Sequence, residues 1–490
     1  MRIAWFSPLP PVHSGIAAYS VDVLDDVRRG HQVHLYVDDR VWGAAGGGLH
    51  AGLGPLILPL AGPHGLPLHR AYDFVVRHEQ APYDLIVYQL GNAACHRFMW
   101  PYLLRWPGLV VLHDGALHHA RAQALLADKR PADYRAEFRF NHPGVDPRVA
   151  DYVVAGLQGS PYYLWPMLRT VMTRARGVAV HSAPLREALA EAYPATPVTT
   201  IAMGVPDPWD APGARDRVPG TGYRVPDPAI VADAGVSTAE TASPVITLSA
   251  FGLITPEKRI LSILRALAAL RADLPPVQLR LVGEIGEHYA LWEDVRRTGT
   301  RDLIEVTGYV DDTALAAELR DADICLCLRW PTAHETSASW LRCLAAGKPT
   351  VIADQLSTVD VPTVDPRHWQ LKHVRTDAAA VLQPPAASQA VAVSVDLADE
   401  EAMVRQALRR LVTDADLRAA LGRRAREWWE AHHTLRRMHR EYEQALRWAS
   451  ALPDPVWAED APAHLRPDPA AWARELTDAF GVEVDLLRPR

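Results

Sequence analysis

Short, β-branched apolar runs alternate with helical stretches along this sequence, and the series occurs once in each half. Such runs, bounded by turn residues and separated by helices, predict the buried strands of a parallel sheet. We therefore predict an α/β fold with two doubly wound, Rossmann-like domains. The predicted strands are RIAWF, QVHLYV, DLIVYQL, LVVLH, GVAVHS and VTTIAM in the first half, and VITLSAFG, QLRLVG, LIEVTGYV, DICLCL and PTVIAD in the second.

The length of 490 residues agrees with two domains, because a single core rarely organises so long a chain. We expect a first domain over 1–205 with a helical insertion at 115–176, a Pro-, Gly- and Asp-rich linker over 206–243, a second domain over 244–425, and a crossover helix with a Pro-rich tail over 426–490. The domains should face each other across a cleft lined by loops at the carboxyl ends of both sheets. A helix break is expected around Leu421 and Gly422.

The formal charge of −7 gives no whole-chain reason to expect a nucleic-acid partner. The sequence starts without the apolar segment of a signal peptide, and no apolar run is long enough to span a bilayer, so we expect a cytoplasmic protein. A peripheral contact at the inner membrane face stays open, because the stretch REWWEAHHTLRRMHR mixes Trp and Arg as interfacial helices do. Packing of Trp428 and Trp429 against the domains is the alternative.

The four cysteines, Cys95, Cys325, Cys327 and Cys343, form neither a disulfide framework nor a zinc-binding spacing. Cys325 and Cys327 are two residues apart in ICLCL, so a strand would place both on one face. We expect a buried, structural role for this pair, and a redox or metal-binding role is the alternative.

In the first half, three loops that follow predicted strands carry candidate site residues. Gly15 opens the first helix, where backbone amides beside a glycine can bind phosphate; an ordinary strand–helix turn is the alternative. His113 and Asp114 end the strand LVVLH and either meet a substrate or cap the next helix. Gln89 and Asn92 either bind a hydroxyl-rich ligand, since amides donate and accept hydrogen bonds, or simply form a turn.

In the second half, Gly252 is followed by Lys258 and Arg259 at the start of a helix. Because basic residues are unfavourable in a first helical turn, we interpret this pair as neutralising a diphosphate.

The stretch RWPTAHETSASWLRCLAAGKPTVIAD leads from the predicted strand DICLCL through a loop into a helix, and then through Gly347 to the next strand. Thr336 or Ser337 suits the N-cap of that helix, and Gly347 suits its end. If the helix begins early, Glu335 and Arg342 lie on one face, and the Glu335 carboxylate can bind sugar hydroxyls. A simple capping acid is the alternative.

Several of these stretches, in this order across roughly residues 1–445, resemble the family-4 glycosyltransferases. They are SPLPPVHSGIAAYS, YQLGN, VVLHD, GVAVHS, FGLITPEKRI, LVGE, VTGYV and ETSASWLRCLAAGKP. The resemblance implies the two-domain GT-B fold, with a C-terminal helix that crosses back to the first domain. It also implies retaining transfer of a sugar from a nucleotide-diphosphate sugar, bound mainly by the second domain. The acceptor hydroxyl, on a saccharide, a lipid-linked glycan or a small molecule, would be bound mainly by the first domain, without a cofactor or metal.

The resemblance also assigns a role to each matching position. His113 would lie near the transferred sugar and Glu335 would contact its hydroxyls, and these two are the expected catalytic residues. The expected acceptor-side residues are Gln89, Asn92 and Asp114. The expected donor-side residues are Gly15 and Ile16 for phosphates and sugar, Gly252, Lys258 and Arg259 for the diphosphate, Tyr309 and Val310 for the nucleobase, and Thr336, Ser337 and Arg342 in the following loop and helix.

One motif departs from the family pattern of two glutamates. This sequence has His334 at the first place, with Glu335 one step later, and Arg342 at the second, which reverses the charge expected at the ribose. Two other functions stay open: a sugar-nucleotide epimerase or hydrolase on the same fold, and a non-catalytic subunit that binds nucleotide sugars.

Overall fold

The computed structural model describes residues 1–12, 14–38, 61–210, 245–372 and 389–466. The chain forms two compact units: the first comprises Met1–Val180, Arg186–Ile201 and the chain from Tyr442 on, and the second comprises His181–Leu185 and Ala202–Glu441. Most of the expected linker lies outside the described residues. Position 426, where we expected the crossover segment to begin, lies inside a helix of the second unit, and the chain returns to the first unit only at Tyr442.

The first unit contains a parallel sheet of seven strands in the order β3-β2-β1-β4-β5-β6-β7. The strands are β1 (Arg2–Phe6), β2 (Gln32–Val37), β3 (Leu68–Arg70), β4 (Leu85–Leu90), β5 (Leu109–Leu112), β6 (Gly177–Val180) and β7 (Val198–Thr200). β1 pairs on both sides, with Phe6 opposite Tyr36 of β2 and Tyr88 of β4. These aromatic rings pack together in the core, as expected for strands buried on both faces.

The second unit contains a parallel sheet in the order β10-β9-β8-β11-β12-β14-β13. The strands are β8 (Ile246–Phe251), β9 (Val277–Val282), β10 (Ile304–Val306), β11 (Ile324–Cys327), β12 (Thr350–Ala353), β13 (Thr363–Val364) and β14 (Ala392–Val395). β8 takes the central place that β1 takes in the first sheet. Each predicted apolar run contains one of the strands of the two sheets, and β3, β13 and β14 are additional to the prediction.

Helices connect the strands, as the alternation in the sequence predicts. They are α1 (Gly15–Gly30), α2 (Asp73–Gln80), α3 (Trp100–Arg105), α4 (His118–Ala127), α5 (Pro131–Asn141), α6 (Arg148–Val154), α7 (Ser160–Leu164), α8 (Arg169–Arg174), α9 (Ala183–Ala192), α10 (Ile260–Leu270), α11 (Leu291–Thr298), α12 (Asp312–Asp321), α13 (Ala338–Ala345), α14 (Glu400–Thr413), α15 (Ala415–His432) and α16 (Leu435–Ser450). Short 3₁₀ turns lie between them, including Pro256–Lys258 after β8. Helices α4 to α8 occupy the expected insertion at 115–176.

The chain after α16 packs against this helical insertion within the first unit. Arg169 makes a two-bond ion pair with Asp460, at 2.7 and 3.0 Å. His464 lies 3.0 Å from the buried carboxylate of Glu137, which also accepts from Arg121 of α4. The described part of the Pro-rich tail thus bonds to two helices of the insertion, α5 and α8.

The expected helix break around Leu421 and Gly422 is wrong, because α15 continues through both residues and ends at His432. The glycine at position 422 is instead needed for the packing of α15 against a neighbouring turn. A Cβ at Gly422 would lie 2.3 Å from the carbonyl oxygen of Gly347, so only glycine lets α15 approach the turn after α13 this closely. Trp429 on the same helix is buried, with the guanidinium of Arg426 over its ring. In the described part of the chain, no helix combines the length and apolar character needed to cross a membrane.

Replacing Gly422 by alanine should lower the free energy of unfolding by about 1–3 kcal/mol, because the new methyl group must push the Gly347 turn away. Urea unfolding of the purified variant measures this. Gly30→Ala, at the end of α1, is the control: its methyl group would meet no described atom within 4 Å, and stability should change by less than about 1 kcal/mol. A Gly422→Ala protein as stable as the wild type would contradict the packing argument.

Candidate functional site

The loops that carry the predicted site residues leave each sheet at the carboxyl end of its central strands. In each sheet the strand order reverses beside the first strand: β1 lies between β2 and β4, and β8 lies between β9 and β11. At such a point the connecting helices depart to opposite faces and leave a crevice, which is where open α/β sheets bind ligands.

In the first unit, the loop after β1 delivers Gly15 to the N-terminus of α1. Ser14 caps this helix, and its Oγ accepts a hydrogen bond from the Ile16 amide at 3.2 Å. A Cβ added at Gly15 would meet no described atom within 4 Å, so packing does not explain the glycine. The open space beside Gly15 is compatible with a ligand that approaches the backbone, as the sequence predicts.

Gly91 marks the point where the loops after β1, β4 and β5 converge. A Cβ at Gly91 would lie 2.5 Å from the Ile16 side chain and 3.0 Å from both Asp114 Oδ2 and His96 Nε2. Asp114 is tied to the same loop, since its Oδ2 accepts from the Asn92 amide at 2.6 Å. Sequence analysis predicted Ile16, Asn92 and Asp114 separately, and the structure brings them to one place.

Asn92 has a structural partner as well as a place in this cluster. Its side-chain oxygen accepts a hydrogen bond from the Ala120 amide at 2.9 Å, in the first turn of α4. The Asn92 oxygen thus has a structural partner 28 residues away in the chain, which is not the local turn named as the alternative, and its side-chain NH2 is the group that this bond leaves for a ligand.

His113 is buried, and its position is fixed by a chain of polar side chains. Its Nε2 lies 2.9 Å from the Gln89 side-chain oxygen, and the Gln89 amide donates to the Tyr442 hydroxyl at 3.3 Å. Tyr19 donates to the same hydroxyl at 2.9 Å, and its ring meets the imidazole edge-on. Burial raises the pKa of Tyr19 and of Tyr442, so both hydroxyls remain neutral.

This chain corrects the expectation for Gln89. We expected its amide to face an acceptor, but the side chain is fully buried and bonded to His113 and Tyr442. Because Gln89 offers its oxygen to His113, it fixes a protonated Nε2 on that imidazole. Gln89 is thus a positioning residue for His113.

His96 is an addition to the predicted site of the first unit. Burial lowers the pKa of this imidazole to about 4, and its Nδ1 donates to the Gln89 carbonyl at 2.9 Å. Its Nε2, which faces Gly91, has no hydrogen-bond partner among the described residues.

In the second unit, Lys258 is the central cation. It ends the 3₁₀ turn after β8, and its Nζ donates to the Phe251 carbonyl at 2.5 Å. A Cβ at Gly252, where φ is +88°, would lie 3.5 Å from that Nζ and 3.2 Å from the Ser339 hydroxyl. Burial, with the nearby Arg329 guanidinium, lowers the pKa of Lys258 from 10.5 to about 8.

Arg259 does not join Lys258 as the expected basic pair. Its guanidinium makes a two-bond ion pair with Glu400 of α14, whose carboxylate also accepts from Ser262 at 2.8 Å. Glu400 is buried, and the hydrogen bond between Arg259 and Glu400 raises the pKa of Arg259. The unfavourable base at the helix start is therefore explained by a structural partner far along the chain.

Arg329, which was not among the predicted site residues, is a second cation close to Lys258. Its Nη1 lies 2.7 Å from Glu335 Oε1, directly after β11. The other Glu335 oxygen accepts from the Thr332 hydroxyl at 2.7 Å and the Ala333 amide at 2.8 Å. A basic residue immediately after the strand DICLCL was the available signal.

Helix α13 begins at Ala338, and Ser337 is its N-cap, with its Oγ accepting from the Trp340 amide at 3.3 Å. Ser337 as N-cap and Gly347 as the terminating residue, at φ +67°, confirm two predictions. Because Glu335 precedes the helix, the expectation that it shares a helical face with Arg342 is wrong. Thr336 and Ser337 line a pocket with Arg329, Glu335 and Cys327.

Arg342 and His334 occupy the two positions at which the family pattern has glutamates. Arg342 makes an ion pair with Asp312 at the start of α12, at 3.0 Å. His334, with φ +60°, is held by a bond from its amide to the Thr332 hydroxyl, and burial lowers the pKa of its ring.

Tyr309 and Val310 follow β10 in the loop before α12. Tyr309 is 66% exposed, whereas Val310 packs against the small cluster that contains Phe251 and Leu319. Among the described residues, no group of three His, Cys, Asp or Glu side chains is arranged to hold a metal ion.

The likeness to known proteins extends over most of the fold but is low in sequence. Residues 245–369 match the family model described as Glycosyl transferases group 1, and no curated protein matches the chain. The solved sucrose-phosphate synthase from Thermosynechococcus elongatus is 15% identical, with a TM-score of 0.55 over 91% of this chain and 98% of that one. HepE from Anabaena, in complex with UDP and glucose, is 13% identical, with a TM-score of 0.54 over 91% and 100%.

A third structure, the glycosyltransferase WaaG, is 14% identical, with a TM-score of 0.51 over 90% of this chain and 99% of that one. These likenesses confirm the predicted fold class: two parallel seven-stranded sheets with alternating helices, as in GT-B glycosyltransferases.

Replacing Gln89 by leucine should lower the free energy of unfolding by about 1–3 kcal/mol, because buried polar groups on His113 and Tyr442 lose a partner. Gln32→Leu is the control in the same sheet, since Gln32 is exposed at the start of β2 and should change stability by less than about 0.5 kcal/mol. Chemical unfolding of both variants measures the difference. Equal values would show that Gln89 does not hold His113.

Proposed function

We propose that this protein is a retaining glycosyltransferase of the family-4 type, which moves a sugar from a nucleoside-diphosphate sugar to an acceptor hydroxyl. The observation that carries the proposal is the group formed by Lys258, Arg329 and Glu335 at the carboxyl edge of the second sheet. This group lies in the part of the chain that matches the glycosyltransferase family model. The UDP and glucose in the HepE complex are the kind of ligand that such a site would bind.

The proposed diphosphate site consists of Lys258, Gly252, Ser339 and the amides at the start of α13. A diphosphate needs positive charge and hydrogen-bond donors, and it gains negative charge as the glycosidic bond breaks. The Gly252 backbone leaves room beside Nζ and the Ser339 hydroxyl. Stabilisation of the leaving diphosphate by these groups supports transfer without a metal or cofactor. Arg259 would contribute through Glu400, by fixing the turn that carries Lys258.

The transferred sugar is proposed to bind Glu335. The Thr332, Ala333 and Arg329 contacts hold the carboxylate in one orientation. A carboxylate held in this way can accept hydrogen bonds from sugar hydroxyls. Thr336 and Ser337 line the same pocket and complete its polar wall.

The nucleoside is proposed to bind between the Tyr309–Val310 loop and α13. Arg342 brings a positive charge there, but its ion pair with Asp312 also holds a carboxylate near the start of α12. Asp312 could therefore meet the ribose hydroxyls in place of the glutamate that the family pattern has at position 342. We propose that the nucleoside contact is altered rather than lost.

The first unit is proposed to bind the acceptor, a saccharide, lipid-linked glycan or small molecule, through Asp114 and the Asn92 NH2. The neutral hydroxyls around His113 fix its imidazole, which would contact the reacting sugar. No protein base is assigned to the acceptor hydroxyl. The departing phosphate oxygen would take its proton, and proximity would supply much of the acceleration. We propose a cytoplasmic location, with peripheral contact at the inner membrane face for a lipid-linked acceptor.

A panel of nucleotides and nucleotide sugars in thermal-shift assays, with EDTA present, tests the proposal. A nucleoside diphosphate at a free concentration of about one hundred times its Kd should stabilise the folded protein by ~2.7 kcal/mol. The donor that binds is then incubated with saccharide acceptors, the products are identified by mass spectrometry, and their anomeric configuration is assigned by NMR. A glycosylated product with the donor's anomeric configuration is expected. Nucleotide release without such a product would favour a hydrolase, and absence of any shift would contradict a donor site.

The pH dependence of nucleotide binding should follow Lys258. The ammonium is charged below its pKa of about 8 and neutral above it, so affinity for a nucleoside diphosphate should fall as the pH rises through about 8. Lys258→Arg should remove this fall, because the guanidinium stays charged. Lys258→Met should weaken binding by about tenfold or more at neutral pH.

Isothermal titration calorimetry across this pH range measures all three proteins. Arg259→Met is the control, since its partner is Glu400 and its loss should reduce stability more than affinity. Wild-type affinity that does not change with pH, or unchanged binding by Lys258→Met, would contradict the role of Lys258.

A further inference from the structure

Three thiols lie together beneath the pocket of the second unit. Cys325 and Cys327 point from β11 toward Cys343 of α13, and the Sγ atoms of Cys327 and Cys343 are 3.9 Å apart. Cys325 and Cys343 are fully buried, which confirms the expected structural placement of Cys325. Nothing in the proposed transfer reaction uses these thiols.

Cys327 differs from its two neighbours because it reaches the pocket. It is only partly buried and lines the same pocket as Arg329, Glu335 and Ser337. The Lys258 ammonium lies close enough to interact electrostatically with the sulfur atoms of Cys327 and Cys343. A small oxidant entering the pocket would therefore meet Cys327 first, and Cys343 would be the enclosed thiol in contact behind it.

The segment between the two cysteines forms one side of the pocket, and residues from Ile352 to Thr358 form the other side. Residues 328–342 include Arg329, Glu335 and Ser337, and they leave β11 at Cys327 and return over it as α13. Joining the two sulfur atoms requires them to move from 3.9 Å to about 2.05 Å. Any part of this movement that the backbone supplies would draw α13 toward β11 and change the loop that holds Glu335.

We propose that Cys327 and Cys343 form a peroxide-oxidisable dithiol, and that their disulfide weakens nucleotide binding in the adjacent pocket. The regulatory half of this inference rests on the proposed function, and the disulfide itself does not. Occupation of the pocket by a nucleotide should in turn shield Cys327 from the oxidant.

The chemistry is a two-electron oxidation by a hydroperoxide. The Cys327 sulfur attacks the peroxide, the O–O bond breaks, and sulfenic acid forms while the other oxygen leaves as water or an alcohol. The Cys343 sulfur then attacks the sulfenic sulfur, the S–O bond breaks, and water leaves with the thiol proton. Two thiols and one hydroperoxide thus give one disulfide, one water, and one alcohol or second water. A dithiol reductant reverses the change.

The test oxidises the reduced full-length protein with hydrogen peroxide and maps its peptides by mass spectrometry. A linked pair of peptides containing Cys327 and Cys343 is expected, with loss of two of the four free thiols and recovery by dithiothreitol. UDP, or the nucleotide found by the panel, should then bind about tenfold more weakly to the oxidised protein, since a shift of about 1 Å at a site is costly. Excess nucleotide added before the peroxide should slow the linkage.

Single substitutions make the assignment specific. Cys343→Ala and Cys327→Ser should each abolish the linkage, and Cys343→Ala should leave a sulfenic acid at Cys327 that dimedone captures. Cys325→Ala and Cys95→Ala are matched controls that should keep both the linkage and its effect. A linkage through Cys325, no linkage, or a Cys327–Cys343 disulfide without loss of affinity would overturn the proposal. If the reduced protein binds no nucleotide, the proposed function fails, and the peptide map alone then decides whether the dithiol exists.

Discussion

The pairing of β8 with both β9 and β11 is the constraint on which the second-unit site depends. Because β8 lies where the strand order reverses, the loop after β8 and the loop after β11 leave the sheet side by side. Lys258 comes from the first loop, and Arg329 and Glu335 from the second. A sheet with any other neighbour for β8 would separate the cation from the carboxylate. The first unit repeats the arrangement, with β1 between β2 and β4 and the Gly91 cluster at the same edge.

The consecutive basic residues Lys258 and Arg259 differ in how well the protein compensates their charge. Among the described residues Lys258 donates one hydrogen bond, to the Phe251 carbonyl, and it lies close to Arg329, so burial and like charge make its protonated form unfavourable. Such a cation is unsatisfied by the protein and gains from an incoming anion. Arg259 is the reverse case, because Glu400 already neutralises it and Ser262 completes that carboxylate's hydrogen bonds. The Arg259–Glu400 ion pair thus holds the turn, while the charge of the neighbouring Lys258 is poorly compensated.

Sequence patterns predicted the strands and several helix ends because these depend on local chemistry. Apolar runs between turn residues located the buried strands, and the Ser337 cap and Gly347 end were recognisable from residue types alone. Short edge strands such as β3 and β13 give too few residues for a pattern. The break expected at Gly422 was wrong, because glycine is needed there for close packing against the Gly347 carbonyl and does not interrupt its own helix.

Side-chain partners were the part that the sequence could not supply, because they lie far apart in the chain. Glu400 is 141 residues from Arg259, and Tyr442 is 353 residues from Gln89. Motifs that place a residue at the carboxyl end of a strand therefore locate it in the fold while leaving its bonds unknown. Gln89 and Arg259 both lie near the carboxyl ends of their strands, as predicted from the sequence. The polar group of each is bonded to a buried side chain of the protein. The partner of a charged residue is decided by the rest of the fold: Arg259 pairs with Glu400, whereas Arg329, the first residue of the stretch RWPTAHETSASW, pairs with Glu335.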